Sequence, residues 1–147
     1  MIDSEFSNGV LQIVFANRKI NKFGIEEARK VQKLIHVHRG HLVAFICTNR
    51  GRAFCAGGDI SHYAEMTKKS QGLAEHREIQ KILAQIAGLK APKLAIVRGD
   101  CFGGGMELLS CFDQVYALPH AFFGYWQRRL GLISGWGGGL RLIDRIG

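Results

Sequence analysis

The sequence predicts a single α/β domain, on three observations. Continuous apolar runs at 42–48 (LVAFICT) and 93–99 (KLAIVRG) alternate with segments of helical periodicity, the order that layered strands and helices produce. Each of these runs leads directly into a glycine-rich loop, AFCAGGDI after the first and CFGGGMEL after the second. Within the 147 residues, only two of them proline, no linker, internal repeat or low-complexity stretch marks a boundary, and the length suits one domain with a real core.

The elements follow in order. GVLQIVFA, 9–16, reads as a first strand. IEEARKVQKLIHVH, 25–38, places apolar residues at 25, 28, 31, 34 and 35, with His38 marginal, which is helix spacing. The run at 42–48 is apolar without alternation, rich in β-branched and aromatic residues, and suits a strand buried on both faces. RGRAFCAGGD makes a glycine-rich loop, and ISHYAEMTKK opens a short helix. EHREIQKILAQIAGL, 75–89, is a helix closed near Gly88 with Pro92 beyond it. A second buried strand covers 93–99, MELLSC continues as a helix, and DQVYAL, 113–118, is a strand. The tail SGWGGGLRLIDRIG has a glycine-rich turn with Trp136 packing beneath it. A helix carrying Leu140, Leu142, Ile143 and Ile146 follows.

Composition narrows the function classes. Hydrophobic residues make up 47% and charged residues 22%, as in ordinary soluble domains. No apolar run approaches the roughly 20 residues of a membrane span. The start MIDSEFSNGV lacks the basic and apolar regions of a secretory signal, so a cytoplasmic chain is expected. Cysteines at 47, 55, 101 and 111 show no CxxC or metal-ligand spacing and read as free, mostly buried thiols, with no metal. The net charge of +8 is spread along the chain without a basic stretch interleaved with aromatics, which argues against nucleic acid. A phosphorylated small molecule or a solvated basic surface would account for it equally.

The chemistry concentrates in the two glycine-rich loops. In α/β sheets ligands sit beyond the carboxyl ends of strands, so neighbouring strands would open both loops to one crevice. Glycine costs about 0.5–1 kcal/mol relative to alanine inside an element, and the triplet Gly103-Gly104-Gly105 therefore asks for a reason. Without side chains the backbone comes close to a ligand, and amides at a helix start are unpaired and reinforced by the helix dipole. One amide from each loop would bind an oxygen that becomes negative during reaction. Phosphate binding is the competing use, although neither GxxxxGK[ST] nor GxGxxG is present. Plain turn material, with Glu107 favouring the helix dipole, is the simplest reading.

GRAFCAGGDI at 51–60, APKLAIVRGDCFGGGMELLSCFDQVYAL at 91–118, AFFG at 121–124 and LGLISGWGGGLRLIDRIG at 130–147 resemble the crotonase (enoyl-CoA hydratase/isomerase) superfamily. FANRKIN at 15–21 is a weaker match. The resemblance implies the crotonase-like spiral of repeated ββα units. It also implies an acyl-CoA thioester substrate, coenzyme A entering as part of that substrate with no separate cofactor, and a place in fatty acid metabolism. Gly58 and Gly104 would be the two amide donors to a thioester enolate, with side chains excluded there so that the thioester oxygen can approach. Glu107 matches the family's acid/base, a role a carboxylate fills when partial burial raises its pKa. Substrate contacts would come from Lys19, Ile20, Ala56, Gly57, Ile60 and Gly103, while Asp59 would cap the following helix. No nucleic acid or membrane partner is implied; a homo-oligomer, trimer or hexamer, is.

Two departures stand out. Gln127 occupies the place of the hydratases' second glutamate, and an amide has no proton to exchange near neutral pH. Decarboxylation of malonyl-type thioesters or thioester hydrolysis therefore stands as an alternative, as does a non-catalytic CoA-binding module. Arg128 and Arg129 would hold a substrate carboxylate in a decarboxylase, or are simply solvated. The chain also ends at DRIG, where family members continue into helices that complete the pocket and build oligomers. A fragment or a shortened relative with exposed apolar surface is expected.

Overall fold

The computed structural model describes residues 1–17 and 20–147. A hairpin begins the chain: β1 (Ile2–Ser7) and β2 (Val10–Phe15) pair antiparallel around Asn8-Gly9. Both turn residues have positive φ, 50° and 79°, the geometry of a two-residue hairpin turn. Helix α1 (Ile25–His38) follows, burying Ala28, Val31 and Ile35 on one face.

A repeated unit then builds the molecule. β3 (Ala44–Asn49) joins β2 in parallel, and the chain turns through β4 (Ala53–Cys55) into α2 (Ile60–Ala64) and α3 (Lys69–Ala87). β5 (Lys93–Val97) and β6 (Asp100–Phe102) lead into α4 (Gly104–Leu109). β7 (Gln114–Ala117) and β8 (Phe123–Gly124) come next, and α5 (Gly138–Ile146) closes the chain. The first strand of each pair extends one sheet, ordered β1-β2-β3-β5-β7, and the second extends another, ordered β4-β6-β8. This is the expected spiral of ββα units.

Strand–helix alternation forces the layering: apolar strands need cover, and the helices supply it. Phe45 of β3 stacks on Phe112 at 5.6 Å between centroids, and Phe15 meets Phe54 edge-on at 5.5 Å. Ile79, Ile82, Leu83 and Ile86 of α3 complete the core on one helical stripe.

Two departures from the expected boundaries are larger than a shift of a residue or two. Residues 93–99 form no single strand: the chain leaves β5 after Val97 and re-enters the second sheet at Asp100. A Cβ on Gly99 would lie 2.1 Å from the Arg52 carbonyl oxygen, so backbone passes against backbone at that crossing. Helix α3 begins at Lys69 rather than 75, because its first turns are exposed and carry no apolar periodicity. Helix α5 buries little of its apolar side: Leu140, Ile143 and Ile146 are 69%, 60% and 72% exposed.

Candidate active site

The second sheet positions the two glycine loops. β4 and β6 run parallel as neighbours with Cys55 opposite Cys101, so both loops emerge at the same strand ends. They touch: a Cβ on Gly57 would lie 3.2 Å from the Phe102 carbonyl oxygen and 3.3 Å from the Gly104 amide nitrogen. Gly57 itself has φ of 102°, which side chains disfavour. Gly104 is the first residue of α4, where amides have no partner within the helix. Among the described residues, neither the Gly58 nor the Gly104 N–H donates to a protein acceptor.

One indole backs both glycines. A Cβ on Gly104 would lie 2.1 Å from Cζ3 of Trp136, and one on Gly58 would lie 3.4 Å from its Cη2 and Cζ2. A reason for glycine at 104 thus lies within the chain itself: the room a side chain would need is taken by the Trp136 ring. Trp136, 3% exposed, donates Nε1–H to Nδ1 of His76 at 2.9 Å and meets Phe23 edge-on at 6.0 Å. The expected packing of Trp136 beneath its turn is observed, and the ring ties that turn to both loops and to α3.

Glu107 is 2% exposed and its carboxylate accepts five hydrogen bonds. Oε2 receives the Ser134 hydroxyl at 2.7 Å and the amides of Trp136 and Gly138 at 2.7 and 3.0 Å. Oε1 receives the Gly135 amide at 3.2 Å and Nε2 of Gln127 at 3.1 Å. A buried carboxylate is tolerated when its lone pairs are filled, and here one side chain nucleates the whole 134–138 turn. Arg141 adds to the clamp, donating to the carbonyls of Glu107 and Trp136 at 3.2 and 3.0 Å and to the Ser110 hydroxyl at 2.9 Å. Gln127, chosen from its place in the sequence, thus stands beside Glu107, and its Oε1 is buried without a partner among the described residues.

The other expected contacts divide. Lys19 lies outside the described residues. Ile20 is exposed, and the segment after it is laced to the first loop: Ala56 N–H donates to the Asn21 carbonyl at 2.8 Å and Phe23 N–H to that of Gly57 at 3.0 Å. Asn21 holds this lacing, donating Nδ2–H to the Arg50 and Ala53 carbonyls at 3.2 and 2.8 Å. Gly103 sits beside the Gln127 amide, 3.9 Å from where its Cβ would be. Ile60 points outward, 62% exposed. Asp59 caps α2 as expected, accepting from His62 N–H, and its Lys22 ion pair at 2.8 Å holds its carboxyl below the usual value. Arg128 and Arg129 are exposed, the latter 5.0 Å over the Trp126 ring. All four cysteines are buried, and burial pushes the Cys55 thiol up to about 12.

Trp136, His76, Ser134, Arg141 and Asn21 were not singled out as site residues from sequence. Each acts through a partner 27 or more positions away, and no local pattern encodes such pairings.

Comparison with known proteins identifies the family. The enoyl-CoA hydratase/isomerase family model matches residues 5–147. An ethylmalonyl-CoA decarboxylase of Xenopus tropicalis is 27% identical over 150 aligned positions, covering 98% of this chain and 49% of that protein. Its Gallus gallus counterpart is 28% identical over 102 residues, 69% of this chain and 34% of that one. The crystal structure of an enoyl-CoA hydratase from Bacillus anthracis superposes with a TM-score of 0.85 at 29% identity, covering 99% of this chain and 58% of that one. The chain therefore spans half or less of the length of these curated relatives. With the family model matched from residue 5 to the last and the fold shared, the chain belongs to the enoyl-CoA hydratase/isomerase family.

Proposed function

We propose that this chain carries the thioester site of an acyl-CoA enzyme of enoyl-CoA hydratase/isomerase type, in which the Gly58 and Gly104 amides hold the thioester oxygen and stabilise an enolate. The supporting observation is the contact between the two loops, with Gly104 N 3.3 Å from the Cβ position of Gly57 and, among the described residues, no acceptor for the Gly58 or Gly104 amide. Each such donor is worth about 2.7–4 kcal/mol to a transition state in which the oxygen turns negative. Backbone of Ala56, Gly57 and Gly103, with Lys19 and Ile20, would line the substrate, and the +8 charge suits the phosphates of coenzyme A. Glu107 is the acid/base, and to act it exchanges one of its five donors for a water or a substrate proton. The exposed apolar side of α5, with Leu140, Ile143 and Ile146, supports assembly into a homo-oligomer. A cytoplasmic place in fatty acid metabolism goes with the thioester chemistry.

A second reading rests on one observation: the Glu107 carboxylate is filled by five donors, one of them from Gln127. Decarboxylation of a malonyl-type thioester needs no base, since CO₂ departs leaving its electron pair on the α-carbon, delocalised onto the same thioester oxygen. The names of the Xenopus and Gallus relatives point the same way.

Incubation with crotonyl-CoA and with ethylmalonyl-CoA, beside calorimetric titration with butyryl-CoA, separates the readings. Loss of the enoyl absorbance, abolished in Glu107→Gln, supports hydration, and CO₂ release that persists in Glu107→Gln supports decarboxylation. Binding without turnover assigns a CoA-binding module. No thioester binding at all contradicts the proposal.

A further inference from the structure

Tyr63 carries the buried hydroxyl of this site that nothing in the chain explains. Its Cε2, the ring carbon next to the one bearing the hydroxyl, lies 3.2 Å from the Cβ position of Gly58, where the Trp136 ring also arrives at 3.4 Å. The other side is fixed by stacking on His76, with centroids 4.8 Å apart and planes at 18°. His76 is in turn held by the Trp136 Nε1–H. The ring is thus wedged, and the hydroxyl at its Gly58 end is shielded from solvent with no hydrogen-bond partner among the described residues. A buried polar group left unpaired is destabilising. A phenylalanine would fill the same wedge without that loss, so packing explains the ring and not the oxygen. Burial pushes the phenol up to about 12, so it remains a protonated donor at neutral pH.

From this wedge we infer that the Tyr63 hydroxyl is a specificity-determining donor, hydrogen-bonding an oxygen substituent on the acyl group of the thioester held at Gly58. The inference rests on the thioester reading above and narrows it to oxygenated acyl groups, a hydroxyl or a carboxylate, over plain alkyl ones. The other orphaned side-chain oxygen among the described residues, Gln127 Oε1, lies 3.9 Å from the Cβ position of Gly103 in the neighbouring loop.

The test compares wild type with Tyr63→Phe by calorimetric titration with butyryl-CoA, 3-hydroxybutyryl-CoA and ethylmalonyl-CoA, and measures the melting temperature of each free protein. The expected result is that the preference for one oxygenated thioester over butyryl-CoA falls about five- to tenfold in Tyr63→Phe, the size of one net hydrogen bond. The affected thioester then tells hydroxyl from carboxylate. The melting temperature should hold or rise, since an unpaired group has been removed. An unchanged preference with butyryl-CoA still bound overturns this inference alone. A fall in melting temperature means the hydroxyl is bonded within the chain and also overturns it. Failure of wild type to bind any of the three removes the thioester reading and this inference together.

Discussion

Replacing Glu107 by glutamine separates an anchoring carboxylate from a merely reactive one. The substitution keeps shape and one oxygen. Placed at the Oε2 position, that oxygen retains Ser134, Trp136 and Gly138 as donors, though without the charge that strengthens them. The new amide nitrogen faces the Gly135 N–H and the Gln127 side chain. Gln127 adapts by turning its Oε1 toward it, which moves Nε2 to the place where Oε1 had no partner among the described residues, and the Gly135 N–H is left without its acceptor. Three bonds each falling from the charged to the neutral range, and one donor stranded, would together cost several kcal/mol. Relief from burying a charge offsets part of this, leaving a net loss of about 2–4 kcal/mol. Urea unfolding followed by Trp fluorescence reads the effect directly, because Trp136 sits in the turn that Glu107 holds. A midpoint equal to that of wild type would refute the anchoring argument and return Glu107 to a purely chemical role.

Two further outcomes follow from the same contacts. Gly104→Ala drives a methyl to 2.1 Å from the Trp136 ring, so it destabilises by about 1–3 kcal/mol in wild type; in a Trp136→Ala background most of that cost disappears, and additive costs in the double-mutant cycle would contradict the contact. At the surface, the Glu75 carboxylate 3.0 Å from His62 raises that imidazole above the usual histidine value. The stability from this pair is complete below the unfolded-state pKa and is lost as pH rises through the folded one. An NMR titration of His62 should show a midpoint that drops in Glu75→Gln, and identical midpoints would dismiss the pairing.

What sequence could show was local. Helix α1 coincides with its periodicity at both ends, Ile25 and His38, because a helix with one buried stripe writes that stripe into its own spacing. Whether the two apolar runs neighbour one another was open from sequence; β3 and β5 pair in parallel. Missed were β1 and the second sheet. β1 is mostly exposed, with a burial pattern that leaves only Ile2 fully covered, although Asn8-Gly9 was a turn signal available to be read. β4, β6 and β8 have three residues or fewer, too short for alternation to show. At the site, the two loops and Glu107 carried recognisable motifs, whereas the ring that backs both glycines and the turn that fills Glu107 depend on contacts across 27 or more positions.

A crystal structure of the chain with butyryl-CoA bound tests the central claim most directly. The account predicts the thioester carbonyl oxygen within hydrogen-bond reach, about 2.7–3.2 Å, of the amide nitrogens of Gly58 and Gly104 at once, with Trp136 still lodged behind them. A thioester oxygen seated on one of these amides alone, or bound elsewhere on the molecule, would contradict it.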